Sequence, residues 1–280
     1  MAFEIVKTEE REGSANDTAH PHAHAGKRIA KKQLFLNYKG GTGKTSISAA
    51  YAYNLAENGN KVLLIDLDAQ AHLTTCFNRE GIKLDKSLYS VIIRNDRISD
   101  ITVKTTLDRL NLVPSSISLS SLEFLLFRMP LGEFRLRQAL KTVERDYDYI
   151  IIDSAPSIGL LSLNAILASD EILIPLLADF LSFHGLKILL ETLASIERDF
   201  LFYLGRVHIF LNRFNPDYAV CGECKEAIHK FYPGYALNTV VNEAQEIMEA
   251  SSVGKSIFEL YPGSRAAQDI RALVSEVNKV

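Results

Sequence analysis

Two lysines, a threonine and three aspartates equip this chain for phosphate chemistry. At 34–47 the sequence reads LFLNYKGGTGKTSI. The common phosphate-binding pattern, G-x-x-x-x-G-K-[ST], needs a glycine five places before Gly43, and Tyr38 stands there instead. The loop carries an additional lysine, Lys39, just ahead of Gly40 and Gly41. Glycines let backbone N–H groups turn inward, and a helix starting at this point adds partial positive charge, so phosphate is stabilised there. Gly40, Gly41, Thr42, Gly43, Lys44, Thr45 and Ser46 are therefore expected to cradle a nucleotide. In this pattern Lys44 reaches the β- and γ-phosphates and the Thr45 hydroxyl ligates Mg²⁺.

Acidic residues close two later apolar runs. VLLIDLDAQ places Asp66 and Asp68 just past one strand, and YIIIDSAPS ends another on Asp153. In open α/β sheets, ligands gather beyond the carboxyl ends of the strands. These carboxylates are thus expected to converge on the loop, with Asp66 and Asp153 as candidate magnesium ligands and Asp68 as the group orienting an attacking water. Strand-end caps would explain one such aspartate, but not three at one rim beside a phosphate loop.

The elements that must position these groups follow from periodicity. Short, near-continuous apolar runs predict strands at Leu34–Asn37, Lys61–Asp66, Leu110–Pro114, Tyr149–Asp153, Glu171–Leu176 and Val207–Asn212, as in strands covered on both faces. Helices are expected at Thr45–Asn58, Ser118–Phe127, Glu133–Arg145, Leu160–Ala168, Phe183–Asp199, Cys221–Phe231 and Arg265–Val280. The alternation implies an α/β fold, a mainly parallel twisted sheet with helices on both faces. Residues 1–28 are polar and small with no apolar period and read as a disordered tail; 29–280 form one domain. His20, His22 and His24 alternate in that tail without a nearby carboxylate or cysteine ligand.

Bulk properties exclude several classes. The 280 residues are 47% hydrophobic and 23% charged, with a formal net charge of −3, so nothing global calls for a polyanion partner. Three cysteines are too few for a disulfide scaffold and suit a reducing cytosol. No apolar stretch is long enough to span a membrane, and the N-terminus lacks an export-signal pattern, so a cytoplasmic location is expected.

KGGTGKTS, DLDAQAHLTT and IIIDSAPSIGLLSLNAI together resemble the deviant Walker A P-loop ATPases of the ParA/MinD superfamily, and ASSVGKSIFELYPGSRAAQDIRALVSEV looks most like its ParA members. The resemblance runs from about Lys32 to the end. It implies ATP and Mg²⁺ as cofactors, a homodimer formed on ATP binding, and slow hydrolysis stimulated by a ParB-like partner or cargo adaptor. By resemblance, Lys39 is the signature lysine that reaches across the dimer to the other subunit's phosphates. Lys44 and Thr45 are the phosphate and magnesium residues, Asp68 the switch carboxylate, and Asp153 the Walker B aspartate. Asn212 matches an asparagine that contacts adenine in related ATPases. The switch reads DAQAHLT where ParA proteins usually show D-P-Q-G-N, so Ala69, Ala71 and His72 depart from the pattern. The implied function is partition or positioning of a plasmid, chromosome region or protein assembly.

The resemblance also raises DNA binding, because typical members ride the nucleoid on arginines in the last third of the chain. Here NEAQEIMEASS carries Glu243, Glu246 and Glu249 and no arginine, which weakens that expectation; Arg265, Arg271 and Lys279 near the C-terminus are the best remaining basic group. The closing helix puts Ile270, Leu273, Val274 and Val277 on one side without bulky aromatics and reads as docked on the core, not as a membrane anchor. A runner-up function rests on Cys221-x-x-Cys224, which in iron–sulfur carrier ATPases of the same superfamily would hold a cluster between two chains.

Overall fold

Apolar strand runs bounded by loops need cover on both faces, and the chain supplies it by alternating them with helices. The structure, a computed structural model, describes residues 29–77 and 87–279. The expected tail and its histidines lie outside the described residues. In chain order the elements are β1 (Lys31–Phe35), α1 (Lys44–Glu57), β2 (Val62–Leu67), α2 (His72–Phe77), α3 (Leu88–Arg94), α4 (Ile98–Ile101), β3 (Val103–Lys104), β4 (Leu110–Val113), α5 (Leu122–Leu126) and α6 (Arg135–Leu140). They continue with β5 (Tyr149–Ser154), α7 (Leu160–Ala168), β6 (Glu171–Leu176), α8 (Phe180–Asp199), β7 (Arg206–Phe214), α9 (Ala219–Phe231), β8 (Val241–Asn242), α10 (Gln245–Ser252), α11 (Ile257–Leu260) and α12 (Arg265–Asn278).

Among the described residues the strands form one sheet in the order β3-β4-β2-β5-β1-β6-β7-β8. All neighbours run parallel except β3, which pairs antiparallel with β4. The strand that feeds the glycine loop, β1, is flanked by β5 and β6, and the register sets Phe35 beside Asp153 and Asp66 beside Asp153. Three expected site elements therefore end at one rim. Two apolar cores cover the faces. One joins α1, α2, α10, α11 and α12 through residues such as Ile47, Leu73, Ala250, Ile257 and Ile270; the other joins α3 to α9 through Val91, Leu136, Ala165, Leu186 and Ile228.

The expected α/β architecture holds, with local departures that have physical causes. β1 starts and ends earlier than the apolar run suggests, since pairing with β5 begins at Lys31. Helix 118–127 is split into a 3₁₀ turn at Ile117–Ser121 and α5, and the helix expected from Glu133 is α6 with a 3₁₀ entry and loose turns behind it. Leu136, Leu140 and Val143 are nevertheless buried as their spacing predicts. α8 starts three residues before expectation because Asp179 caps it, accepting a hydrogen bond from Ser182 N. The closing helix α12 buries Ile270, Leu273, Val274 and Val277 and packs on α1, as a docked helix should. No helix among the described residues is long and apolar enough to cross a membrane.

Candidate nucleotide site

The loop after β1 has the backbone a phosphate cradle needs. Gly41 and Gly43 adopt φ of 76° and 83°, left-handed values that cost an L side chain roughly 1 kcal/mol or more. Gly43 has a second constraint: a Cβ there would lie 2.2 Å from the Asn212 amide nitrogen. α1 begins directly behind it, at Lys44. The loop is braced at both ends. Asn37, at the end of the β1 run, donates to Pro175 O at 2.8 Å and accepts from Lys39 N at 3.0 Å.

Asn212 braces the other side, donating to Thr42 O at 2.8 Å from a bulge in β7 where Arg213 takes φ 53°. A bulge re-aims the side chains beside it, here inward onto the loop. The residue expected from resemblance to contact adenine thus supports the loop backbone in this conformation.

The two lysines part company. Lys44 is buried at 6% exposure, its ammonium 3.5 Å from Lys39 O. Burial lowers its pKa, while Asp153 and Asp68 nearby act in the opposite sense, which places all three groups around one space. Lys39 turns outward, its side chain 35% exposed, and bonds to both Asp179 oxygens at 2.9 and 2.8 Å and to Ser182 Oγ at 3.0 Å. Sequence reasoning missed Asp179 and Ser182, which lie some 140 residues away; no local signal marks them.

The aspartates also differ. Asp153 is fully buried, and neither of its oxygens accepts a hydrogen bond. Burial and the neighbouring Asp66 push its carboxyl up to about 7, against the Thr45 hydroxyl and the Lys44 charge, which oppose that rise. Asp66 is equally buried but partnered: Oδ1 accepts from Asp68 N at 3.1 Å, and Oδ2 accepts from Thr74 N and Thr74 Oγ1, both at 2.7 Å. Its carboxylate therefore tethers the start of α2. Thr74 reaches back to the carboxylate from the next helix, so both Asp66 oxygens are engaged in this conformation. Burial still raises its carboxyl above the ordinary value, against those bonds.

Asp68 is held by its backbone, its carbonyl accepting from Ala71 N at 2.9 Å and from the Ser115 hydroxyl, while its carboxylate takes Gln70 N at 2.9 Å. Ser115 N in turn donates to Thr74 Oγ1 at 2.8 Å, tying the end of β4 to α2. Ala71 takes φ 52°, a left-handed position at the point where the resembled family places glycine.

An orphaned buried carboxylate is costly unless a cation or proton arrives. Asp153, Thr45 and Lys44 around a glycine loop therefore fit a magnesium-bound triphosphate. The paired cysteines do not form a comparable site. Cys221 and Cys224 are 4% and 9% exposed, and burial raises the Cys224 thiol. A cluster shared between chains needs thiolates at a surface, and both are covered in this single-chain conformation.

Residues 30–202 match the family described as AAA domain. The chain is 44% identical over 247 residues to the cell division protein PomZ of Myxococcus xanthus, covering 88% of this chain and 77% of that protein. It is 33% identical over 249 residues to the sporulation initiation inhibitor protein Soj of Bacillus subtilis, covering 89% of this chain and 98% of Soj. Apo McdA from Cyanthece shares the fold, with a TM-score of 0.81 at 24% identity over 89% of this chain and all of that one. The glycine loop with its two lysines, the acidic strand ends and these relatives agree: the chain belongs to the ParA/MinD family of P-loop ATPases.

Proposed function

We propose that this chain is an ATP-dependent switch in which two copies pair when each holds magnesium and ATP, and in which hydrolysis separates them. The observation that carries the reading is the division between two lysines of one loop: Lys44 buried within the site, Lys39 turned to the rim. A buried lysine serves the nucleotide of its own chain. A rim lysine is placed to compensate charge on the phosphates of a facing copy, as an arginine finger does. Gly40, Gly41, Thr42, Gly43 and Ser46 cradle the phosphates, and Lys44 pairs with them. Thr45 and Asp153 would hold Mg²⁺, whose role is to offset phosphate charge. Asp68 orients the attacking water, and Asp66 anchors α2 so that Asp68 stays in place.

A site that is complete only in a pair suits slow, partner-stimulated turnover, a timer more than a metabolic catalyst. The names of the relatives, for cell division and sporulation control, support a positioning or partition role with an adaptor protein as stimulator. A protein assembly is the favoured cargo. Arg213 is paired with Glu243 at 2.9 Å, and Arg271 bonds Pro262 O and lies over Phe258, so both arginines are engaged within the chain instead of standing free for nucleoid DNA. Turnover and mass in solution test the core of this reading. Lys44→Ala and Lys39→Ala should each lower hydrolysis about 10³-fold, and Asp68→Ala should accumulate an ATP-bound dimer. Lys39→Ala hydrolysing ATP at the normal rate would refute it.

A further inference from the structure

In the single chain the Lys39 ammonium has no free proton to offer a phosphate. An ammonium carries three donors. Here three acceptors surround it within 3.0 Å: Asp179 Oδ1 and Oδ2, from the residue that caps α8, and Ser182 Oγ from its first turn. The acceptors are themselves fixed. Asp179 caps α8 by accepting from Ser182 N at 2.8 Å, and the Ser182 hydroxyl lies 2.9 Å from Asp179 Oδ2. The lysine backbone is pinned as well, through Asn37. Burial pushes the Asp179 carboxyl up, yet the bonds from Lys39 and Ser182 outweigh it and hold it below the usual range. Phe180 and Leu181, the next residues of α8, are both exposed beside this contact, a surface that a second copy would cover.

We infer that Asp179 and Ser182 form a latch that holds Lys39 within its own chain and must release it before two copies can pair. This rests on the cross-chain reading of Lys39 given above. The latch sets a threshold: each chain gives up one ion pair on dimerising, so an encounter without nucleotide phosphates to receive the lysine does not persist. The pair is about one-third exposed on both sides, with side-chain exposures of 35% and 40%. An ion pair of that exposure shifts an equilibrium about threefold, and two chains release one each, so the latch weakens pairing about tenfold.

The test uses the full chain with Mg²⁺ and a slowly hydrolysed ATP analogue, following mass by sedimentation velocity across protein concentrations. Asp179→Asn retains an oxygen to cap α8 while removing the charge that holds Lys39. It should lower the half-dimerisation concentration about tenfold, and Ser182→Ala should lower it about twofold. An unchanged threshold in both variants overturns the latch. A raised threshold also overturns it, since Asp179 would then support Lys39 in the pair instead of restraining it. If Asp179→Asn fails to fold, Ser182→Ala and Asp179→Ser, which also caps, carry the measurement. The two readings fail differently. Wild-type protein that stays monomeric at every concentration removes the paired switch itself, whereas wild-type pairing with unmoved variants removes only the latch.

Discussion

Two carboxylates, on strands either side of β1, are buried at opposite ends of the sheet and live opposite lives. Asp153 closes β5 at the rim of the glycine loop with no hydrogen bond to either oxygen, and its carboxyl is pushed up to about 7. Glu171 opens β6 at the other rim, with Lys31 Nζ at 2.9 Å and Gln33 Nε2 at 2.8 Å. His208 Nε2 is 3.8 Å away, and a further amide, Asn278, lies 3.3 Å from Gln33 Nε2. Burial opposes ionisation there too, but His208, Gln33 and Lys31 pull the Glu171 carboxyl down to about 2. Burial alone, then, does not mark a functional acid. What marks it is a buried charge that the fold leaves without partners, so that an arriving cation completes it.

The most severe test of that contrast removes each charge in turn. Asp153→Asn should lower ATP hydrolysis by at least about 100-fold, since on the proposed reading magnesium would lose a ligand. The nucleotide-free protein should be as stable as wild type, or more stable by on the order of 2 kcal/mol at pH 8, because an uncompensated buried charge has gone. Glu171→Gln should do the reverse, costing about 3 kcal/mol in denaturant unfolding by leaving Lys31 without its carboxylate, with nucleotide binding retained. Loss of stability in Asp153→Asn equal to that in Glu171→Gln would erase the distinction.

Unfolding of the nucleotide-free protein across pH separates the two acids further. The folded pKa of Glu171 lies below its ordinary 4.5, so its stabilisation is present above pH 4.5 and is lost as pH falls to about 2. The folded pKa of Asp153 lies above its ordinary 3.8, so its contribution is favourable below that value and is lost as pH rises to about 7. Glu171→Gln should therefore remove part of the acid-side loss, and Asp153→Asn part of the decline between about pH 4 and 7. Melting curves across pH check both signs.

Smaller effects come from the switch segment. Thr74→Val deletes the hydroxyl that donates to Asp66 and accepts from Ser115 N, which turns Asp66 toward the condition of Asp153 at an expected cost of about 2 kcal/mol. A change under about 0.5 kcal/mol would mean that Asp66 and Ser115 find other partners. Ala71→Gly relieves a left-handed alanine and should gain about 0.5 kcal/mol, once the extra chain entropy of glycine is set against the strain. Denaturant unfolding reads both.

Much of the nucleotide rim is legible in the amino-acid order. The run LFLN, the glycines with Lys44 and Thr45, and the strand ends at Asp66 and Asp153 are all local signals, and the sheet brings them to one edge as expected. The short elements α2, α3, α4, α10 and α11 are not legible; their sequences are too brief or too polar to show a helical period. Nor do VLLID and YIIID differ in any way that separates Asp66 from Asp153.

Where strands and helices run, and which loop suits phosphate, could be read from the chain unaided, because side-chain period and glycine freedom act between residues a few places apart. Which polar groups are already spoken for emerged from the folded arrangement. Thr74 reaches Asp66, Asn212 reaches Thr42 across 170 positions, and Asp179 reaches Lys39 across 140. Hydrogen-bond partners at that separation depend on how the sheet orders its strands, and no local pattern records that order.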